Sequence, residues 1–453
     1  MKYPIRIMQI LFIAIISFAT FVHAQPQKMA KIASDVPIYS ERFSYDVAIS
    51  GDYALVIAPD SYKILAYKRN AQSWDHIQNI TFNSNDTNDK PFSVSMDGEY
   101  AVVGRFYYHN GSFYNGAASI YKRNGDVWTL QTTVSPTDQT EMTYFGYDVA
   151  IKGDYIVVGA YYKDCAYIYK RNIESWNLIK KLTDPDGVSY DSFGYNVAIS
   201  NEYIIVGAYN EDNNATNSGS AYIFKNSNDS WTQTAILNPD DPAENNYFGR
   251  SVAITDEYAA IGASFADSEV KDSGKAYVFE RSGESWSQMT MILPKTNEEY
   301  GLFGETIAIS GDKVAIGFKA RDTFSAVNAG CVNIYKLDGN TCTQISTYYP
   351  DIIYDVDHSF GYSLDLYEDY FIAGSLSYSG NPNKKEEAYI GYISTPQLNI
   401  EYDNFSNLPI PMSVFSELGG NITLLVESSN QTVIPNSGIN LSESGSNSIV
   451  IST

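Results

Sequence analysis

What most constrains this chain is that it repeats itself. Phenylalanine returns in one register at positions 43, 92, 145, 193, 248, 303 and 360, at spacings of 48 to 57 residues. A period of that length marks propellers, solenoids and arrays. Each copy opens with a short strand such as 145–151 and turns through a Gly-Asp pair (Gly51-Asp52, Gly153-Asp154, Gly311-Asp312). It then enters an apolar run such as 155–159. A loop of variable length follows, then a third run such as 166–169 or 221–224, a polar turn, a tryptophan and a fourth run. All five tryptophans, at 74, 128, 176, 231 and 286, hold that one repeat position.

Four short strands rich in β-branched and aromatic residues, joined by Gly, Asp and Asn turns, predict one antiparallel meander per copy. The second strand is apolar on consecutive rather than alternate residues, so both of its faces must be covered. Sheets packed radially, each shielded by its neighbours, meet that demand, and the fold class expected is all-β, a seven-bladed β-propeller of four-stranded antiparallel blades. The last copy has no tryptophan strand of its own. Residues 27–33 stand as far before Phe43 as the Trp231 strand stands before Phe248, so the N-terminal strand is expected to complete the seventh blade and close the ring.

Phe-Gly at the start of the first strand (145, 193, 248, 303, 360; Phe-Ser at 43 and 92) and Gly-Ala at the end of the second (159, 207, 262) resemble the FG-GAP repeat family, best known from integrin α-subunit propellers. Glycine without alanine stands at 104, 317 and 374, and Ile57 replaces it in the first copy. The resemblance covers about 43–392. It implies the propeller fold and, less specifically, extracellular interaction. Calcium-holding members carry an acidic loop between strands one and two. Here that connection is a tight turn such as Ser50-Gly51-Asp52-Tyr53, too short for the six to eight oxygens calcium takes, and those sites are not carried over. There is no Arg-Gly-Asp.

Residues 1–24 read as a secretory leader: Lys2 and Arg6, an apolar stretch around 10–19, and Val22-His23-Ala24 as the cleavage site. A retained anchor is the competing reading, though the apolar run is short for a span, and no other stretch reaches transmembrane length. The expected product is secreted or held at the cell surface. A net charge of −23 excludes a nucleic-acid or anionic-membrane footprint. Three cysteines make no disulfide framework. A two-residue hairpin at Asp338-Gly339 is expected to set Tyr335 opposite Cys342, which leaves a Cys331–Cys342 bridge only to a looser turn. After the propeller (25–394), residues 395–453 break the repeat. Apolar runs at 412–415, 422–426 and 448–451 predict a small β-rich module, Ig-like or cadherin-like, marginal alone at that size.

No catalytic constellation emerges. The three histidines beyond the leader, at 76, 109 and 358, lack metal-ligand spacing, and there is neither a nucleophile elbow nor a phosphate loop. Carboxylates cluster in turns such as 184–187 and 238–242, where Asx side chains cap their own backbone. The weak metal candidates are Asp184, Asp186 and Asp191, and calcium is the only cofactor they suggest. The long connections (105–116, 209–219, 264–274, 318–330, 376–387) all fall between strands two and three. In a meander these share a rim with the strand four-to-one connections, and variable loops on a rigid scaffold carry recognition. Aromatics directly after the glycine position (Phe106, Tyr107, Tyr108, Tyr161, Tyr162, Tyr209, Phe265, Phe318) are the candidate ligand-binding residues. The competing reading packs them into the channel or between blades. The function expected is a non-catalytic adhesion or ligand-binding module for an extracellular protein or carbohydrate. The alternatives are an exported polysaccharide hydrolase or lyase using rim carboxylates, and a structural segment of a larger surface protein.

Overall fold

A computed structural model describes residues 29–393, apart from 34–41, 72, 83–85, 110–113, 137–141, 186, 297, 320–328, 340, 351–358 and 377–385, together with three strands between 408 and 452. The leader expected at 1–24 and the runs at 412–415 and 422–426 lie outside the described residues.

Residues 29–393 form one unit of seven four-stranded antiparallel sheets. In blade 1 the strands, from channel to periphery, are Val47–Ser50, Tyr53–Ala58, Lys63–Asn70 and Ser73–Thr81. Blade 7 takes three from the end of the unit, Phe360–Tyr367, Tyr370–Ser375 and Glu387–Tyr392, and its fourth from the start, Ala30–Ala33. Ala30 pairs with Ile390 and Ala33 with Glu387, so the expected closure by the N-terminal strand is what the chain does. In blades 1 to 6 the third and fourth strands slip register once at the same place, Ile168/Tyr169 in blade 3. A bulge of this kind adds twist and fans the outer strand away from its neighbours.

The core is divided among the seams. Seven apolar clusters each straddle one pair of adjoining blades. This explains the unbroken apolar second strand: Ile156, Val157 and Val158 are all fully buried, odd residues against one neighbour and even ones against the other. The motif phenylalanine docks edge-on against a third-strand tyrosine of its own blade, as Phe145 does on Tyr167 at 5.3 Å and Phe248 on Tyr277 at 5.3 Å. The tryptophan closes the outer part of a seam. Trp231 meets Tyr155 of the preceding blade at 5.4 Å and Trp286 meets Tyr203 at 5.5 Å.

Phe92 departs from the expected register. Val94 pairs with Val103, next to Gly104, just as Val149 pairs with Val158, next to Gly159. Lys90-Pro91-Phe92 therefore stands where blade 3 has Phe145-Gly146-Tyr147, and Lys90 rather than Phe92 holds the motif position. Lys90 is accommodated there by Asp60, 2.7 Å away, and by the Tyr62 ring.

Inner strands are also stitched to one another by a single repeat position, three residues after the motif position. Asp46 accepts from the Val94 amide at 2.7 Å, Ser93 from Val149 at 3.2 Å, Asp148 from Val197 at 2.7 Å and Asn196 from Val252 at 2.6 Å. Around the rest of the ring the same position donates instead, Ser251 to the Gly304 carbonyl, Thr306 to Gly361 and Ser363 to Ser44. Every seam is tied.

Close approach of the backbones accounts for the paired glycines. A Cβ on Gly159 would lie 2.1 Å from the Gly194 carbonyl oxygen of the next blade, and Gly194 itself has φ +90°.

None of the three cysteines is disulfide-bonded; Cys165 and Cys331 are buried and Cys342 half-buried, with burial pushing the Cys342 thiol up to about 11. Leu337, not Tyr335, stands opposite Cys342, because the hairpin pairs Asp338 with Thr341.

In the second unit Ser448–Ser452 runs between Leu408–Pro411 and Asn440–Glu443 as an antiparallel three-stranded sheet. The expected run at 448–451 falls in its central strand. Pro409 and Pro411 lie on an edge strand, where a missing amide hydrogen is tolerated.

Two outcomes are expected. Gly159→Ala should cost about 3 kcal/mol, since backbone must move across the seam. Gly153→Ala, with nothing within 4 Å and φ +57°, should cost only about 1 kcal/mol of left-handed strain. Urea midpoints of the two variants check this, and equal losses would remove the seam contact as the reason for glycine. The second concerns the channel carboxyls. Burial, with the nearby Asp148 and Asp365 charges, pushes Asp46 up to about 8, and burial pushes Asp148 and Asp365 to about 6. The folded protein therefore holds protons that the unfolded chain, titrating near about 4, releases, so this contribution to stability is complete below about pH 4 and is lost as pH rises to about 8. Asp46→Asn should flatten the urea-midpoint profile between pH 5 and 8.5; a profile parallel to the wild type would refute the assignment.

Candidate functional site

The rim that carries the long connections is fixed by backbone pairing. Gly116, Gly219, Gly274 and Gly330, which end the strand two-to-three connections, bridge in parallel to Phe145, Phe248, Phe303 and Phe360 at the start of the following blade. The long connection of one blade and the entry to the next thus share one face of the ring, and the central channel opens there.

The channel holds about 720 Å³, within the range of ligand clefts, and all seven innermost strands line it. Its mouth on the long-loop face is formed by the residue two places after each motif position. Going round the ring these are Tyr45, Phe92, Tyr147, Tyr195, Arg250, Glu305 and Tyr362. Five aromatics and one ion pair make an asymmetric collar. Tyr45 meets Phe92 at 5.6 Å and Tyr362 at 5.7 Å, and Tyr147 meets Tyr195 at 4.8 Å with their hydroxyls hydrogen-bonded at 3.1 Å.

Five of the eight aromatics expected from the loops join this collar as a second tier, and Tyr162 lies outside them. Phe106 lies 4.3 Å from Phe92, 4.2 Å from Tyr107 and 5.1 Å from Tyr147. Tyr161 sits 4.5 Å from Tyr147, Tyr209 4.6 Å from Tyr195, and Phe265 5.4 Å from Tyr247. Tyr162 is the most exposed of the group and contacts Tyr144 at 5.3 Å. The other two expected residues do not reach the mouth. Phe318 is 1 % exposed and packs on Phe303, because it ends a second strand whose faces are both covered, so it is core rather than surface. Tyr108 stacks on Arg105, which is held by buried Asp89. Phe106 is nearly buried too and acts as the floor on which Tyr107 and Tyr147 rest.

Sequence reasoning missed the collar itself and the residue just before each motif phenylalanine. That residue is left-handed in six blades: Arg42, Tyr144, Ser192, Tyr247, Leu302 and Ser359 have φ between 43° and 61°. Bulky side chains rarely adopt this conformation. In Tyr144 and Tyr247 it sets the ring against the second tier, 5.5 Å from Tyr161 and 5.7 Å from Tyr209. A constant offset from the motif, rather than proximity to a long loop, was the available signal.

The ion pair breaks the aromatic collar at blades 5 and 6. Arg250 reaches Glu305 at 3.1 Å, and Ser264 donates to Glu305 at 2.6 Å. Burial works against both charges. Glu305 and Tyr195 nonetheless hold Arg250 above its ordinary pKa, while Arg250 and Lys319 hold Glu305 below the usual carboxylate range. Both stay charged. Burial raises the hydroxyls of Tyr147, Tyr161 and Tyr195, so these remain O–H donors.

Below the collar, Asp46, Asp148 and Asp365 face the channel with both oxygens of each engaged. Asp46 takes the Val47 and Val94 amides, Asp148 the Ser93 hydroxyl and the Val197 amide, and Asp365 the Ile49 and Leu366 amides.

Of the weak metal candidates, Asp184 and Asp191 come together, joined by Glu211 rather than by Asp186, which lies outside the described residues. The three carboxylates are buried with oxygens within 4.8 Å of one another, and the Tyr222 hydroxyl donates to Glu211 at 2.7 Å. Among the described residues this is the group able to hold a cation. Three carboxylates reach the lower end of the six to eight oxygens calcium takes only if all three bind through both.

Comparison with known proteins agrees with this geometry. An FG-GAP repeat model matches residues 128–169, 176–224 and 231–279. Each matched unit runs from a fourth-strand tryptophan through the first three strands of the next blade, so it spans a seam. No curated protein matches the sequence. Among solved structures, that of U3-55K superposes with TM-score 0.52 at 10 % identity, covering 81 % of this chain and 100 % of that one. A chain of the mitotic checkpoint complex does so with TM-score 0.52 at 11 % identity, covering 82 % and 93 %. At such identities the likeness is one of fold. The chain is a seven-bladed β-propeller that carries FG-GAP repeats.

Proposed function

We propose that this protein is an exported, non-catalytic adhesion or ligand-binding propeller that engages an extracellular protein or carbohydrate through its long-loop face. The observation that carries the reading is the two-tier aromatic collar at the channel mouth. Tyrosine supplies large apolar contact area and a hydroxyl at little entropic cost, and a rigid ring of sheets presents it preformed. The FG-GAP repeats support a ligand-binding propeller in general. Export rests on the leader-like residues 1–24, and no helix among the described residues is long and apolar enough to cross a membrane.

The non-catalytic part rests on how the carboxyls are used. The channel aspartates spend both oxygens on amides and hydroxyls that tie the blades, and Arg250 keeps Glu305 ionised, so it has no proton to give as a general acid. A polysaccharide-cleaving site needs an acid and a base with substrate-facing oxygens.

The secreted full chain, screened on glycan and extracellular-matrix arrays, is expected to bind a defined subset. The double variant Tyr161→Ala, Tyr162→Ala should lose at least tenfold in affinity with an unchanged urea midpoint. Undiminished binding by that variant would move the ligand off this face.

A further inference from the structure

Resting on the binding reading above, we propose that the collar is a pocket for an uncharged sugar, the terminal neutral pyranose of an extracellular glycan. Charge decides between ligand classes. A cationic ligand would seek the aromatic faces, yet the chain's own cations already lie on them. Arg42 is over Tyr45 at 5.0 Å, Lys319 over Tyr362 at 4.7 Å, and Arg250 over Tyr195, Tyr209 and Phe265 at 5.1 to 5.5 Å. An incoming cation meets like charge at each. An anionic ligand finds Arg250 already paired with Glu305 and Arg42 with Asp60, and it approaches a chain of net charge −23.

A neutral pyranose suits what remains. It has one apolar face of C–H groups and a rim of hydroxyls that both donate and accept. The Tyr147–Tyr161 quarter of the mouth offers rings with no cation over them among the described contacts, and both are partly exposed. Arg250 and Glu305 offer a planar donor and a charged acceptor side by side, the arrangement that holds vicinal hydroxyls with directional, charge-assisted hydrogen bonds. Since Arg250 is tethered by Glu305 and Glu305 also by Ser264, the pair is preorganised and loses little freedom on binding. The collar is one asymmetric site, so the stoichiometry is one sugar terminus per chain.

The test uses the secreted full chain on neutral oligosaccharides ending in glucose, galactose, mannose, fucose or N-acetylglucosamine, with sialylated and sulfated versions beside them and a matrix-protein array in parallel. Hits are titrated by calorimetry. Expected are 1:1 binding of a neutral terminus, at least tenfold weaker binding of its acidic counterpart, and affinity that varies less than threefold between 50 and 500 mM salt. Tyr147→Ala and Glu305→Gln should each weaken binding at least tenfold. Tyr147→Phe, which keeps the ring and the seam packing, should stay within threefold, and the urea midpoint of the alanine variant separates a lost sugar contact from a folding defect. Four results overturn the inference: no neutral glycan bound, acidic glycans preferred, a stoichiometry above one, or affinity indifferent to Tyr147→Ala and Glu305→Gln. If glycans fail while a matrix protein binds and is lost in the Tyr161→Ala, Tyr162→Ala variant, the inference falls and the broader binding reading stands. If nothing on either array binds, both fall.

Discussion

The ring depends on one recurring bond, from a short polar side chain on each innermost strand to the backbone of the blade that follows. Side chains that accept (Asp46, Ser93, Asp148, Asn196) alternate in kind but not in place with those that donate (Ser251, Thr306, Ser363). Apolar seams supply most of the burial but are non-directional and would tolerate sliding. Hydrogen bonds of 2.6 to 3.2 Å to defined backbone atoms do not, and they fix the angular step between blades. Because these side chains sit beside the axis, seven such steps leave a channel rather than a filled core.

That arrangement explains where variation is permitted. Residues two places after the motif point into the mouth, clear of both seam and tie, so the chain can place tyrosine, phenylalanine, arginine or glutamate there without disturbing closure. The Arg250–Glu305 pair illustrates this. It occupies two successive collar positions, its charges satisfy each other, and the blades beneath it are built like the rest. Among the left-handed residues before the motif, Tyr144 and Tyr247 hold the second tier in place, at about 1–3 kcal/mol of backbone strain each.

Blade number, strand order, closure and the face carrying the long loops were all legible, because each follows from periodicity or from loop length. What failed were inferences that needed a side chain's direction. Phe92 carries the motif's letter but not its register, since Lys90 fits the motif site only with Asp60 nearby, a partner some thirty positions away. Phe318 follows its glycine directly and stands where blades 4 and 5 have Ala208 and Ala263, the buried last residue of the second strand, whereas Tyr209 and Phe265 lie beyond the strand end. Glu211 could not be grouped with Asp184 and Asp191 from spacing, because it arrives from the following blade. The collar itself was hidden by its regularity: a tyrosine inside a recurrent strand reads as strand until the axis is known.

Closure by Ala30–Ala33 has a consequence for how the molecule comes into being. Ala30 and Ile390 are partners separated by almost the whole unit, so the last sheet cannot be completed until the final blade has been made. Contacts of such long sequence separation form late and slowly. Until that four-residue clasp snaps home, the nascent chain is an arc with two raw ends, and it needs sheltering for as long as its synthesis lasts.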